Sequence, residues 1–239
     1  MRKKIEFLIL ILALAGIYTA SRNLEKYVQS DQVKSASQRK MDTVVIDSGH
    51  GGSDPGKVGV NEVLEKDINL KIAKQVEMEL KDLGYRVVMT REEDRMLTGD
   101  SSGNTKIKDM KARVELINNT APGLAVSIHQ NSYHEETIHG AQVFYYSHSE
   151  EGMEASKLMQ QALLEVDAEN TRQAKANDTY YLLRRTQVPT IIVECGFLSN
   201  QKEAVLLSEK EYQKKIAGAI AEGIDAYLKD ASKNIAEAR

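Results

Sequence analysis

The 239-residue sequence predicts a single α/β domain with a central, mostly parallel β-sheet and helices on both faces of that sheet. Two observations support this fold class. Short β-branched and apolar runs, typical of strands buried on both faces, alternate with longer segments of helical periodicity. Three of these runs are followed closely by a histidine or a glutamate that can bind a metal ion or a proton. Open α/β sheets place their functional sites at the carboxyl ends of strands, so we expect the functional site there.

The composition is that of a globular protein. Hydrophobic residues make up 41% of the chain and charged residues 28%, which is enough to build a core. The formal net charge of −3 gives no support for nucleic-acid binding, so no nucleic-acid partner is expected. The single cysteine, Cys195, excludes an internal disulfide and a cysteine-based zinc knuckle.

Residues 1–20 have the features of an export leader. Arg2, Lys3 and Lys4 form a positively charged start, and the run from Phe7 to Ala20 is apolar. This run is short for a membrane-spanning helix, which needs about 20 residues, and it suits a signal sequence. We interpret it as an uncleaved signal-anchor, with a cleaved signal peptide or a buried N-terminal helix as the alternatives. Membrane attachment and an extracytoplasmic location are therefore expected.

The rest of the chain divides into three parts. Residues 21–40 are polar with little periodicity, which predicts a linker. Residues 41–230 are predicted to form the globular domain, and residues 231–239 a polar tail.

The first strand and the helix after it carry the clearest signals. Thr43–Ile46 is a β-branched run that stops at Ser48 and Gly49, and a glycine-rich segment follows it. A helical pattern opens at Leu64–Asp67, and Gly84 stands where a helix C-cap is expected. The apolar residues of this helix recur at helical spacing: Ile68, Ile72, Val76 and Leu80.

The later elements follow from the same two periodicities. Strands are predicted at Arg86–Thr90, Leu124–Ile128, Ala141–Tyr146 and Thr190–Val193, with a short strand or turn at Tyr180–Leu183. Helices are predicted at Ile107–Asn118, Met153–Val166, Gln201–Leu207 and Glu209–Leu228. The polar loop Arg91–Thr105 is long enough to shape a substrate groove or to dock a regulatory protein partner, with a simple surface loop as the alternative.

Four side chains are the candidates for chemistry. His50, His129 and Glu194 each follow a predicted strand, and Glu65 begins the first helix. Two imidazoles and one carboxylate form the protein ligands of many catalytic zinc sites, where water takes the fourth position. A second carboxylate near the metal can take a proton from that water and hand it to a leaving amine. Glu194 is the candidate for this second role because it follows the buried run Ile191–Val193.

Each candidate also has a simpler interpretation. A histidine beside glycine is often a turn residue, and Glu194 could cap the turn that follows it. His134, His139 and His148 lie in or beside loops and are interpreted as surface histidines, although His134 and His139 could rim the site. Cys195 next to an apolar strand is interpreted as a buried packing residue rather than a nucleophile.

Two other patterns are not interpreted as sites. The glycine-rich segment Gly49–Gly59 lacks the spacing and the lysine of phosphate-binding loops. The charged residues of Arg91–Arg95 and Lys106–Lys111 are interpreted as a solvated face.

The chain resembles the zinc-dependent N-acetylmuramoyl-L-alanine amidases of the amidase-3 family from about Met41 to Leu228. The matching segments are Val44–Gly52, Leu64–Asp67, Met89–Arg91, Ser127–Ser132, Gly140–Ala141 and Val193–Asn200. The resemblance implies a zinc ion bound by His50, Glu65 and His129, with Glu194 as the catalytic carboxylate. It also implies hydrolysis of the amide between the lactyl group of muramic acid and L-alanine in peptidoglycan.

Within this family the chain is most similar to the spore-cortex amidases. That similarity implies removal of stem peptides as the first step of muramic-δ-lactam formation, with a partner deacetylase acting on the product. The expected location of the domain is outside the cytoplasmic membrane or in the intermembrane space of a forespore. Two residues depart from the family pattern: Ser48 stands where proline is common, and Gln130 where a small or apolar residue is usual. These departures leave the details of substrate preference open.

Two other functions are compatible with the sequence. A catalytically silent peptidoglycan-binding protein would use the same fold, but none of the four candidate residues is missing. A zinc peptidase that cuts stem peptides is the second alternative. The chain lacks the His-Glu-x-x-His motif, although other peptidase frameworks do without it.

Overall fold

The computed structural model describes residues 18–19, 21–22, 40–99 and 105–237. The chain separates into two compact units, Met1–Arg39 and Lys40–Arg239, and the fold below is that of the second. The predicted signal-anchor and the predicted linker lie almost entirely outside the described residues, as does part of the predicted loop Arg91–Thr105. No helix among the described residues is long and apolar enough to cross a membrane.

The second unit is built on a six-stranded sheet in the order β2-β1-β3-β6-β4-β5. The strands are β1 (Thr43–Ser48), β2 (Arg86–Met89), β3 (Leu124–Asn131), β4 (Gln142–Tyr145), β5 (Lys175–Ala176) and β6 (Thr190–Phe197). All neighbouring pairs are parallel except β4 and β6, which are antiparallel. The predicted α/β class with a mostly parallel sheet is confirmed.

Within the described part of this unit, six helices connect or follow the strands. They are α1 (Glu65–Asp82), α2 (Thr105–Thr120), α3 (Glu150–Leu164), α4 (Tyr181–Arg185), α5 (Gln201–Ser208) and α6 (Lys210–Glu237). Helix α1 ends as its sequence predicts, because Gly84 adopts a φ of 91° and the Tyr85 N–H donates to the Leu80 carbonyl at 3.0 Å. Ser149 is the N-cap of helix α3, and its side chain accepts a hydrogen bond from the Gly152 N–H.

Apolar side chains cover the sheet on both faces, which confirms the two-sided arrangement predicted for the helices. The larger core joins β1, β3 and β6 to α1, α3 and α6; its buried residues include Val126, Ile72, Met159 and Ile220. The smaller core lies on the opposite side and includes Val45, Val114, Ile117, Ala125 and Leu182 from β1, β3, α2 and α4. The functional cleft lies on the side of the smaller core.

The face of the sheet that carries the smaller core changes character along its strands. Neighbouring residues in register on this face are Val45 and Ala125, then Asp47, Ser127 and Ile192, then His129 and Glu194. The residues are apolar toward the strand starts and polar toward the carboxyl ends. Alternate residues of a strand share a face. The smaller core and the functional site therefore lie at opposite ends of the same face of the sheet.

The structure corrects the predicted ends of two strands. β3 continues through His129 to Asn131, and β6 continues through Glu194 to Phe197, so neither candidate residue stands beyond its strand. Polar residues on one face of a strand do not end it while its other face stays buried. In β6, Cys195 and Phe197 are both buried, so the strand continues past Glu194.

The region predicted as a short strand or turn is helical. Tyr181–Arg185 forms α4, and Leu182 and Leu183 of this helix are buried. The side-chain oxygen of Asn177 accepts the Thr179 and Tyr180 N–H groups at 2.8 and 3.1 Å, which turns the chain into the helix. The two-residue strand β5 was not predicted because it is too short to show a period.

The last helix is longer than predicted. α6 runs to Glu237 rather than ending at Leu228, so most of the predicted polar tail, residues 231–239, is helical. No glycine or proline follows Leu228 to stop the helix, and the residues there are good helix formers.

Candidate metal centre

His50, Glu65 and His129 lie together at the carboxyl end of the sheet. Each offers one possible ligand atom, and these three atoms all lie within 4.8 Å of one another. Nε2 of His50 is 3.2 Å from Oε2 of Glu65, and Nδ1 of His129 is 3.0 Å from Oε1 of the same carboxylate. The two imidazole rings meet edge to face, with centroids 5.0 Å apart. This donor set can hold a metal ion, and it is the one typical of catalytic zinc sites.

Glu65 is fixed by its position as the first residue of α1. It is only 2% exposed, and the N–H groups of Lys57 and Gln130 donate to its carboxylate at 2.8 and 3.1 Å. Burial alone would raise the pKa of this carboxyl. Hydrogen bonds to His129 and His50 outweigh that effect and hold the pKa well below its usual range. The carboxylate is therefore ionised and available as a ligand.

His50 is held by a residue that sequence reasoning did not single out. Oδ2 of Asp54 lies 2.9 Å from Nδ1 of the imidazole, and Oδ1 of Asp54 pairs with Lys106 at 2.6 Å. A carboxylate at Nδ1 fixes the orientation and tautomer of a metal-binding histidine, so Nε2 stays directed toward Glu65. An acid four residues after a histidine in a glycine-rich turn was the signal available in the sequence.

His129 projects from β3 against the backbone of Gly49. A Cβ atom on Gly49 would lie 2.3 Å from two atoms of the imidazole ring, so only glycine allows this approach. Burial lowers the pKa of His129, but the hydrogen bond with Glu65 and the charge of Glu65 together outweigh burial. The pKa is therefore raised to about 9. Without a metal ion, His129 is therefore protonated at neutral pH and forms an ion pair with Glu65.

Two buried arginines hold the backbone around His50. Arg91 donates to the carbonyl oxygens of Ser48 and Gly49, each at 3.0 Å, and Arg113 donates to those of Ser48 and His50 at 2.7 and 2.6 Å. Both arginines are 2% exposed. The interpretation of Arg91 as part of a solvated face is therefore wrong, because its guanidinium is buried and donates to backbone carbonyls.

Two acidic residues form ion pairs with Arg113. Asp47 of β1 pairs with Arg113 at 2.7 Å and also accepts hydrogen bonds from Thr90 and Ser127. Asp109 pairs with Arg113 from the same helix, also at 2.7 Å. Burial raises the pKa of Asp47, but Arg113 and the hydroxyl partners lower it overall to about 2. Neither Asp47 nor Arg113 stood out in the sequence, because they lie far apart in the chain and their pairing leaves no local pattern.

Gln130, one of the two departures from the family pattern, supports Glu65 from the side. Its backbone N–H donates to Glu65, and its Nε2 donates to Oδ1 of Asn69 at 3.1 Å. Asn69 in turn donates to the Gly49 carbonyl at 3.1 Å. The amide side chains therefore tie α1 to the loop that carries His50.

Glu194 lies opposite His129 in the register of β3 and β6, so both side chains lie on the same face. It is 6% exposed. Oε1 accepts a hydrogen bond from the Tyr180 hydroxyl at 3.2 Å, and the buried Oε2 has no hydrogen-bond partner among the described residues. Burial raises the pKa of Glu194.

Three of the four candidate residues, His50, His129 and Glu194, line one cleft of about 330 Å³. Its lining also includes the apolar residues Met96, Met110, Leu182 and Ile192. Lys106, with a largely exposed side chain, stands at the edge. A cleft lined by both polar and apolar side chains can bind a substrate that carries groups of both kinds.

The remaining candidates lie elsewhere. His139 lines a second cavity, beside Glu203 and Tyr212, and His148 lines a third. The side chain of His134 is 72% exposed, in keeping with a surface histidine. Cys195 is fully buried, and burial raises the pKa of its thiol far above the ordinary value, so packing is its role.

Comparison with known proteins gives one family. The family profile described as N-acetylmuramoyl-L-alanine amidase matches residues 44–226. A germination-specific N-acetylmuramoyl-L-alanine amidase of Bacillus subtilis is 38% identical over 188 residues, which cover 77% of this chain and 79% of the relative. A probable cell wall amidase, LytH, of Staphylococcus saprophyticus is 28% identical over 208 residues, covering 85% of this chain and 64% of that protein.

Solved structures agree with the sequence relatives. The CwlD amidase from Clostridioides difficile, solved in complex with the GerS lipoprotein, superposes with a TM-score of 0.76 at 39% identity. The alignment covers 78% of this chain and 98% of that one. The N-acetylmuramoyl-L-alanine amidase AmiC2 of Nostoc punctiforme has a TM-score of 0.69 at 32% identity, covering 78% and 97% of the two chains.

Proposed function

Because this chain belongs to the amidase-3 family of N-acetylmuramoyl-L-alanine amidases and is an enzyme of that class, we propose that it hydrolyses the amide bond between the muramic acid lactyl group and L-alanine in peptidoglycan, with zinc as its cofactor. The observation that carries this proposal is the grouping of His50, Glu65 and His129, with Glu194 lining the same cleft as the two histidines.

The three clustered side chains are proposed as the zinc ligands. Their donor set, two imidazoles and one carboxylate, is that of catalytic zinc sites with an open position. Zinc held by such a set polarises a carbonyl oxygen and makes water acidic enough to ionise near neutral pH. Asp54 and the backbone donors to Glu65 would keep the ligands oriented when the substrate enters.

Glu194 is proposed to move the proton. Its unpartnered Oε2 takes a proton from the attacking water as the water oxygen bonds to the amide carbon. The same oxygen then returns the proton to the nitrogen as the carbon–nitrogen bond breaks. The other proton of the water leaves as the new lactyl carboxyl group ionises, so the products are a lactyl carboxylate, the free amine of L-alanine and one proton.

We place the reaction in the spore cortex, on the strength of the germination-specific relative and the CwlD structure. Loss of the stem peptide leaves a free lactyl carboxylate, which is the group that muramic-δ-lactam formation needs once a partner deacetylase has exposed the amine. The leader at residues 1–20 would keep the domain extracytoplasmic and attached to the membrane. A lipoprotein partner, such as the one bound to CwlD, would be its regulator.

Digestion of purified peptidoglycan by the full-length protein in detergent tests this proposal. We expect new lactyl carboxylates and new L-alanine amines, identified by mass spectrometry, and about one zinc per chain by elemental analysis. New amines on other stem residues would instead make the protein a peptidase. Binding to peptidoglycan without cleavage would make it a silent wall-binding protein.

A pair of histidine variants separates the site from the surface. His129→Ala should lose both zinc and activity, because a ligand is removed. His139→Ala, which changes a histidine in a different cavity, should keep both. Full zinc occupancy in His129→Ala would contradict the ligand assignment.

A further inference from the structure

We propose that Tyr180 is a positioning residue for Glu194: its hydroxyl group binds one carboxylate oxygen and leaves the other free to face the reaction. This inference rests on the proposed function and adds a residue to it. The Tyr180 hydroxyl donates to Oε1 of Glu194 at 3.2 Å, and Oε2 has no hydrogen-bond partner among the described residues.

The environment of Glu194 makes this single hydrogen bond informative. A carboxylate that is 6% exposed normally has both oxygens satisfied, because a buried acceptor without a partner is costly. Here one oxygen is satisfied by the protein, and the other is buried without a hydrogen-bond partner among the described residues, in a side chain that lines the same cleft as His50 and His129. The unpaired oxygen is therefore the one left to accept a proton in the reaction.

Tyr180 itself is held on two sides, which fixes where its hydroxyl points. Its ring packs edge to face against Phe144 of β4, with centroids 5.6 Å apart. Its backbone N–H donates to the side chain of Asn177 at 3.1 Å, and the Asn177 N–H donates to the Tyr145 carbonyl at 2.8 Å. The turn before α4 is thus tied to the sheet that carries Glu194.

This arrangement gives the two carboxylate oxygens different tasks. Rotation of the Glu194 carboxyl would break the hydrogen bond from Tyr180, so Oε1 stays on the tyrosine and Oε2 stays unpaired. The proton of the attacking water is then accepted at Oε2 and leaves from Oε2 to the amine nitrogen. Tyr180 keeps its own proton throughout, so it acts through Glu194 and not on the substrate.

The variant Tyr180→Phe tests this role, because it removes the hydroxyl and keeps the ring on Phe144. We expect kcat to fall about 10- to 100-fold, the range for loss of one hydrogen bond to a charged group. KM, zinc content and the thermal midpoint should stay close to those of the wild type, since the ring packing is unchanged. Tyr146→Phe, in the same apolar cluster but outside the cleft, is the control and should keep wild-type kcat.

A double-mutant cycle shows whether Tyr180 acts through Glu194. In a Glu194→Gln background, Tyr180→Phe should cause no further loss of the residual rate. An equal loss in both backgrounds would show that Tyr180 acts independently, and would overturn the proposal. Wild-type kcat in Tyr180→Phe, or loss of zinc or of folding, would overturn it as well.

These outcomes are distinct from failure of the proposed function. If the wild-type protein releases no stem peptide from peptidoglycan, the proposed function itself is wrong. If the wild type is active and Tyr180→Phe is equally active, only the positioning role is wrong.

Discussion

Glu65 is the side chain on which both histidines and two backbone N–H groups converge. Its charge is secured by those contacts, so the centre has a permanent anion between two imidazoles. The orientation of each imidazole depends on a different support: Asp54 for His50, and the backbone of Gly49 for His129. Substitutions at the supports should therefore change metal binding without removing a ligand.

Asp54→Asn is expected to weaken zinc binding by about 10- to 100-fold, because an amide holds the histidine less firmly than a carboxylate. Zinc affinity can be measured by competition with a chromophoric chelator. Asp230→Asn, on the exposed side of α6, is the matched control and should have wild-type affinity. Equal affinity in the two variants would show that Asp54 does not orient His50.

Glu194→Gln should keep zinc and the fold but lose about 10²- to 10⁴-fold in kcat, because glutamine preserves the shape and cannot accept a proton. Elemental analysis and release of stem peptide measure the two properties on one sample. Loss of zinc would make Glu194 a ligand, and near-wild-type turnover would make it a structural residue.

The loop between β1 and α1 is the element that positions the site, because it carries His50 and ends at Glu65. His50 itself has a φ of 61°, an unusual value for a residue other than glycine, and the two arginines bind the carbonyls around it. Its path leaves no space at Gly49, where the ring of His129 touches the backbone. The loop and β3 therefore have to fit together before the centre can form.

Gly49→Ala should strongly reduce both zinc binding and stability, because the added methyl group overlaps the His129 ring. Gly218→Ala is the matched control: no heavy atom lies within 4 Å of a Cβ built there, and the residue is in the middle of α6. This control should gain about 0.5–1 kcal/mol in free energy of unfolding, from helix propensity. Urea denaturation and zinc content would measure both; normal zinc in Gly49→Ala would contradict the steric argument.

For the strands and helices, the sequence was informative wherever a local pattern of residues marks an element or its end. β1, α1 and Gly84 were predicted because a β-branched run, a helical period and a C-cap each leave a local signal. Grouping of His50, Glu65 and His129 was predicted because strand ends converge. Arg113, Asp47 and Tyr180 were not found, since their roles depend on partners far away in the chain and no local pattern reports such partners.

Over the whole molecule, the ionisation of the centre links stability to pH. In the metal-free protein His129 has a pKa raised to about 9 from an ordinary value of 6.5, through its pairing with Glu65. The folded state binds this proton more tightly than the unfolded chain, so the stabilisation is complete below pH 6.5 and is lost as pH rises through about 9.

We therefore expect the free energy of unfolding of the chelator-treated protein to fall by about 1–3 kcal/mol between pH 7 and pH 10. Urea denaturation at each pH measures this quantity. His129→Ala, also free of metal, should show a smaller fall over the same range. An identical fall in both proteins would show that other groups account for it.

The pairing of Arg113 with Asp47 has a consequence for how the enzyme recovers from acid. Asp47 loses its charge only near a pKa of about 2, and Arg91 beside it keeps its charge up to a pKa of about 10. Mild acid competes with a metal ion for its ligands and releases the ion long before it reaches this framework. An amidase emptied at about pH 4–5 should therefore regain its full activity when it is neutralised and resupplied with zinc, without having to refold.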